Sequence, residues 1–334
     1  MLSQQKTKFL GILEPLILEK FGKRTPLEVI HEVTFRCNSK CKYCGISRMK
    51  MKEMSTEQVK TAIKEFTDAG TRIWTFTGGE PLLRKDIGEL INYAKDSGIL
   101  FLHLVTNGVL FKKNLNELRR ADKIYFSLDG PREVHEKTRC RGTYDKVIES
   151  IRLAKAEGFD VTIQTVICEE NVKNDFYGIR FLFDLAQQLG VKIIFHPFYL
   201  HAHGNIPYKQ LSDEKNIRAL ELIKALKKRS KSIRRSDTVY DEWIRRFQGV
   251  DTKLKSYAGI LYCHLLPDGR VSPCFFKKET FNGLNEGFLE AFRQLNVPHE
   301  CNCISFFAEK DFQYSMNFDM MKYFIVNVLL EDLV

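Results

Sequence analysis

The sequence predicts an α/β fold, a partial (β/α)6 TIM barrel followed by a small cysteine-rich extension, and three observations carry that prediction. From Leu27 onward, strand-like runs near 28–35, 71–77, 99–106, 123–129, 160–167 and 191–196 alternate with helical patterns, as repeated parallel β-α units do. Six units fall short of the eight that close a barrel, so the sheet stays open and its chemistry gathers on loops at the C-terminal strand ends. Polar and glycine-bearing motifs fall at those ends, and a late pair of cysteines flanks a hairpin turn. The expected organisation is an amphipathic segment over 1–26, the barrel core over 27–209, a helical bridge over 210–255, and a cysteine-rich domain with an apolar tail over 256–334.

A chain of 334 residues with 44% hydrophobic content can fill a sizeable core. No apolar run reaches the roughly 18 residues that cross a bilayer, and the N-terminus has no signal-peptide pattern. Nine cysteines, odd in number and unevenly clustered, suit metal ligation in a reducing compartment better than a disulfide framework. The expected location is therefore the cytoplasm. In the first segment Phe9, Leu13, Leu16, Ile17 and Phe21 recur at helical spacing among lysines, with Pro15 dividing them. Such a stripe either packs across one end of the domain or lies peripherally on a membrane.

The net charge of +10 points to anionic partners: an acidic reductase, a phosphorylated substrate, a membrane surface or nucleic acid. The densest basic run, Lys224 to Arg235, shares a helical pattern with Leu222, Ile223 and Leu226 and reads as a solvated face. It contains no aromatic residue, and single-strand binding surfaces interleave stacking rings with their cations, so no nucleic acid partner is expected.

Behind the first strand stand Cys37, Cys41 and Cys44, at C-x3-C-x2-C spacing on one loop. Three thiolates there can hold three irons of a four-iron four-sulfur (4Fe-4S) cluster and leave one iron open to chelate the amino and carboxylate groups of a methionine-type ligand. Zinc is the alternative, but zinc sites ordinarily gather four ligands in paired elements. With Tyr43 before the last cysteine, the motif resembles that of the radical SAM enzymes.

That resemblance extends along the chain in order. Thr77-Gly78-Gly79-Glu80-Pro81 follows the second strand; paired glycines allow close backbone approach, and Glu80 can accept hydrogen bonds from an ammonium group. In the family this segment holds the methionine amino group of S-adenosyl-L-methionine (SAM). The third strand ends in Thr106-Asn107-Gly108 and the fourth in Ser127-Leu128-Asp129-Gly130-Pro131, followed by His135 and Arg139. The resemblance makes Tyr43, Asn107, Ser127 and Asp129 candidate cofactor or substrate contacts. Arg139 is a candidate partner of the SAM carboxylate, since a guanidinium grips carboxylates in two-pronged fashion. Gln164 on the fifth strand joins the set by position, as related enzymes carry polar residues there. Cys140 is the candidate catalytic residue: a thiol near a radical centre can donate a hydrogen atom, and its place resembles that in adenosyl-hopene-forming members of the family. Cys168 reads as structural.

The sixth strand leads to His196, His201 and His203, expected on a substrate-pocket loop. Two Lys-, Arg- and Glu-rich helices follow over 210–250, broken at Arg234 to Asp237. Cys263 and Cys274 then flank Pro267-Asp268-Gly269, a hairpin signal, which would bring both thiols to one side. With Cys301 and Cys303 they make a possible four-thiolate site that resembles the SPASM and twitch extensions of radical SAM enzymes, including the Gly-x4-Cys element at Gly269 and Cys274. The departures are a shorter first gap and a C-x-C closing pair. The expectation is one auxiliary cluster, with zinc as the alternative.

The resemblance implies an enzyme that reductively cleaves SAM to a 5'-deoxyadenosyl radical, using an electron donor such as flavodoxin or ferredoxin. It then abstracts hydrogen from its substrate or adenosylates it. The amphipathic start and apolar tail lean toward a lipid, isoprenoid or other small-molecule substrate. Peptide maturation is the alternative, weakened because the roughly 26 residues before the barrel are few for a leader-binding domain. A non-enzymatic zinc- or nucleic-acid-binding protein has no need of Gly78-Gly79-Glu80 or Asp129-Gly130-Pro131.

Overall fold

The computed structural model describes residues 24–198, 208–250, 255–274, 279–296 and 299–300. Its first six strands are β1 (Glu28–Thr34), β2 (Ile73–Gly78), β3 (Phe101–Thr106), β4 (Lys123–Ser127), β5 (Asp160–Ile167) and β6 (Lys192–Pro197). All are parallel to their neighbours and lie close to the expected ranges. Three later strands, β7 (Tyr262–Leu265), β8 (Arg270–Ser272) and β9 (Phe281–Asn282), extend the same sheet. Among the described residues its order is β9-β8-β7-β1-β2-β3-β4-β5-β6, and it does not close.

Strand parity decides what each face of this sheet does. Val29, Trp74 and Leu102 share one row, as do Leu104 and Ile124 one layer away. This face belongs to the main apolar core. Against it pack α1 (Thr56–Asp68), α2 (Ile87–Asp96), α4 (Tyr144–Ala156) and α5 (Lys173–Leu189), with α3 (Arg132–Thr138) as a short helix between. In α1 the buried side chains Val59, Ala62, Ile63 and Phe66 repeat at helical spacing, and the helix starts at Ser55, which with Gln58 forms a reciprocal capping box. Burying Val59, Ile63 and Phe66 contributes roughly 1.5–3 kcal/mol each.

The opposite, concave face carries Glu28, Glu32, Thr75, His103, Tyr125 and Gln164. Ile30, Ile73, Phe101 and Val105 share that face, so its lining is mixed. Along β3 the alternation is visible directly, with half-buried residues toward this face and fully buried ones toward the helices.

Two regions differ from the sequence reading. The bridge helices α6 (Asp213–Lys227) and α7 (Asp237–Phe247) pair through Lys224–Asp241 and Lys227–Asp237, and the turn between them docks on the edge of β6. There Ile193 N donates to Ser232 O at 2.8 Å and Arg234 N to Ile193 O at 3.0 Å. Arg235, only 3% exposed, donates to Phe195 O at 2.6 Å and stacks on Trp243. The end of the basic run is therefore internal, because the barrel edge offers backbone acceptors that solvent would otherwise satisfy.

The second difference lies in the hairpin's thiols; the hairpin itself forms as expected, with β7 antiparallel to β8. β7 pairs parallel with β1, setting Cys263 beside Val29, so its thiol enters the apolar core. Cys274 is also buried, but it lies beyond the last ladder pair, His264 with Ser272. Strand pairing thus does not bring the two thiols side by side as a simple hairpin would. Cys301 and Cys303 lie outside the described residues, as do nearly all of the 1–26 segment, His201, His203 and the apolar tail. No helix among the described residues is long and apolar enough to cross a membrane.

Candidate functional site

The cysteine loop leaves β1 through a tight set of backbone and side-chain ties. Gly79 N donates to Thr34 O at 2.7 Å and Glu80 N to Arg36 O at 2.8 Å. A Cβ on Gly79 would stand 2.2 Å from Arg36 O, and one on Gly78, whose φ is +121°, 2.4 Å from Thr34 O. The glycines are thus needed for backbone-to-backbone contact with the cysteine loop itself. At the far end, Arg36 grips Glu53 through Nε and Nη2 at 2.7 and 2.9 Å, and Thr34 Oγ1 donates to the same carboxylate. Arg84 braces the loop from below, donating to Val33 O and Met54 O and pairing with Asp86. Lys42 N donates to Thr138 O at 2.8 Å, fastening the middle of the loop to α3.

Cys37, Cys41 and Cys44 are all half-buried. Desolvation pushes the Cys41 and Cys44 thiols up to about 11 and raises Cys37 as well. The three lie within electrostatic reach of one another, and Cys140 lies within reach of Cys41. Among the described residues no three His, Cys, Asp or Glu side chains gather as ligands of a single ion. Asn107 borders the loop, donating from Nδ2 to Asn38 Oδ1 at 2.6 Å with Cys37 Sγ at 4.0 Å.

Glu80 is fully buried at the end of β2, and each of its oxygens is addressed by the strand ends. Thr106 Oγ1 and Leu82 N donate to Oε1 at 2.8 and 3.1 Å, and Asn107 N donates to Oε2 at 2.8 Å. Burial nevertheless lifts its carboxyl to about 7, partly opposed by those hydrogen bonds and by Arg139.

A second polar knot ties the fourth strand to the loop. Asp129, fully buried, accepts from Tyr43 Oη at 2.6 Å, from Arg139 Nε at 2.6 Å and Nη2 at 3.3 Å, and from Val166 N at 3.2 Å. The Arg139 guanidinium also lies over the Tyr43 ring. Asp129 is therefore the hub that orients Tyr43 and Arg139, and two of the five N–H donors of Arg139 go to it. Ser127 and Gln164 sit opposite each other on the concave face. Cys140 is half-buried next to Arg139, its carbonyl accepting from Thr143 Oγ1 at 2.6 Å. Cys168 is buried, and its thiol is pushed up to about 12 by burial.

Sequence reading missed several supports of these knots. Asn171 donates to Asp129 O and Val166 O, and His135 receives Asp129 N at 3.4 Å. Phe198 and Tyr208 pack against Tyr43, with ring centroids 5.8 and 5.9 Å from it. Asn171 reaches Asp129 across 42 positions, and Phe198 and Tyr208 reach Tyr43 across far more chain, so none of these three has a local spacing signal. His135 lies close by in sequence, but its contact with the Asp129 backbone carries no motif of its own. His196, expected on a substrate loop, is buried against Arg235.

The arrangement of a cysteine loop, a Gly-Gly-Glu strand end and a mixed concave face in an open parallel barrel has a counterpart among known proteins. A family model for the Radical SAM superfamily matches residues 31–179. Residues 31–179 thus carry a radical SAM domain. The Fe-coproporphyrin III synthase of Methanosarcina barkeri is 31% identical over 218 residues, 63% of this chain and 53% of that protein. The AdoMet-dependent heme synthase of the same organism is 26% identical over 308 residues, 82% of this chain and 86% of that one. The chain spans about half the length of several of the curated relatives it matches. In fold, it is similar to Streptococcus suis SuiB bound to S-adenosylmethionine, with a TM-score of 0.69 at 15% identity, over 83% of this chain and 68% of that one.

Proposed function

We propose that the chain uses one 4Fe-4S cluster on Cys37, Cys41 and Cys44, together with SAM, to act on a polar, anionic small molecule of the tetrapyrrole class to which the relatives' names point. Three thiols on one loop, within electrostatic reach of each other, supply the three protein ligands such a cluster takes. When bound, cluster and SAM supply a reducing electron and a carbon radical able to remove a hydrogen atom. The chain's own residues hold the parts. Gly78 and Gly79 fix the loop, Glu80 and the remaining donors of Arg139 would hold the ammonium and carboxylate of the methionine moiety, and Tyr43 with Ser127 and Gln164 would line the side of the nucleoside. Cys140, beside Arg139, would return a hydrogen atom.

The observation that supports the substrate class is the concave sheet face, where Glu28, Glu32, Thr75, His103, Tyr125 and Gln164 interrupt Ile30, Phe101 and Val105, so the face is not the continuous apolar lining an isoprenoid would need. The net charge of +10 adds attraction for carboxylates. The test is anaerobic reduction in the presence of SAM, with chromatography for 5'-deoxyadenosine. Formation by wild type, its loss in Cys37→Ala/Cys41→Ala/Cys44→Ala, and stimulation by iron-coproporphyrin but not by a long-chain isoprenoid are expected; the reverse preference would overturn the substrate class. A second cluster on Cys263, Cys274, Cys301 and Cys303 rests on sequence spacing, and iron counting decides it.

A further inference from the structure

The loop that bears the three cysteines also carries a one-sided charge. Between Cys37 and Lys52 the chain has no Asp or Glu, while Lys40, Lys42, Arg48, Lys50 and Lys52 are all exposed. None of the five takes part in an ion pair among the described residues, and the carboxylate that ends the loop, Glu53, is held by Arg36 at 2.7 Å. Several exposed cations elsewhere stand opposite acids, as in Lys64–Asp68, Lys112–Glu149 and Arg132–Asp145, whereas the cysteine loop has no acid of its own before Glu53. Among the five cations stands Met49, 41% exposed.

We propose that this loop is the docking surface for the electron donor, a small acidic one-electron carrier protein whose carboxylates meet Lys40, Lys42, Arg48, Lys50 and Lys52 around an apolar contact at Met49. The inference rests on the cluster reading above. Charge complementarity of this kind steers encounter more than it adds affinity, and it delivers the carrier to the cysteine loop itself. One electron leaves the carrier's flavin or iron–sulfur centre and enters the cluster held by Cys37, Cys41 and Cys44; no bond is made or broken and no proton is required. Single-stranded nucleic acid fits the patch less well, because the loop's one aromatic ring, Tyr43, is tied to Asp129 and offers no stacking face. A membrane fits less well because Met49 is a lone exposed apolar side chain there.

The test is stopped-flow reduction of the intact enzyme by reduced flavodoxin at low and high salt, with dithionite reduction as the control. Wild type is expected to slow steeply with salt. Arg48→Glu/Lys50→Glu/Lys52→Glu should react ~10- to 100-fold more slowly at low salt and converge with wild type at high salt. Arg48→Gln/Lys50→Gln/Lys52→Gln should fall between them, and Lys50→Arg/Lys52→Arg should keep the wild-type rate. Iron content and the dithionite rate should not change. A salt-insensitive rate in iron-loaded wild type, or charge reversal that leaves the flavodoxin rate intact while abolishing binding to a poly(dT) oligonucleotide or a phosphatidylserine vesicle, would overturn the docking surface alone. Wild type without iron would overturn the cluster reading, and this proposal with it.

Discussion

Cysteines flank β1 in two places, and the chain treats them in opposite ways. On the loop after β1, Cys37, Cys41 and Cys44 are half-buried among backbone ties, with Asp129, Arg139 and Tyr43 knotted alongside. On the neighbouring β7, Cys263 is fully buried beside Val29 in an apolar layer. Burial raises both kinds of thiol, but only the loop surrounds its thiols with groups that orient ligands. What separates them is strand parity: had Cys263 been one residue earlier or later, it would have faced the concave surface where His264 meets Glu32.

The sharpest way to probe the seam between the two regions is that Glu32–His264 contact, at 3.3 Å and almost wholly buried. Desolvation lifts Glu32 to about 8 and lowers His264 to about 3. A carboxyl with a raised folded pKa keeps its proton while the unfolded chain releases it, so stability is lost as pH climbs from about 4.5 to about 8. Relative to wild type, Glu32→Gln should therefore gain on the order of 4 kcal/mol across that window. Chemical denaturation at pH 4.5 and 8 reads the difference, and parallel pH profiles for the two proteins would count against a buried, proton-holding Glu32.

Arg139→Ala tests the knot beside the loop. It leaves Asp129 buried without its guanidinium, which should cost about 3 kcal/mol and lower the melting temperature; a change under about 0.5 kcal/mol, the surface-pair range, would mean the pair is solvated. Cys263→Ala is the mildest change. Trimming one sulfur from the apolar layer should cost about 1 kcal/mol without altering iron content, whereas a loss of iron would move Cys263 from the core to the ligands.

The sequence made the six parallel strands and the cysteine loop legible because each is a local pattern, β-branched runs for the strands and close thiol spacing for the loop. It also marked Glu80, Asp129 and Arg139 one at a time. That Asp129 would accept from both Tyr43 and Arg139 was not legible, because Tyr43 and Asp129 stand 86 positions apart in the chain. The pairing of β7 with β1 lies further beyond local reading: Glu32 and His264 are separated by 232 positions, and nothing in the spacing of Cys263 and Cys274 reveals which face of the sheet each will take. The glycines of Gly78-Gly79 were legible as a close approach, but the surface approached is the cysteine loop's own backbone.

The central claim is that the loop thiols hold the chain's cluster and the core thiol does not. Iron and labile sulfide per chain, with electron paramagnetic resonance of the reduced protein before and after SAM, should be measured on wild type, Cys37→Ala/Cys41→Ala/Cys44→Ala and Cys263→Ala. The account predicts about four irons in wild type, none in the triple variant and an unchanged, SAM-responsive signal in Cys263→Ala. About eight irons falling to about four in both variants would add an auxiliary cluster and place Cys263 in it, and zinc without iron in anaerobically purified protein would contradict the claim outright.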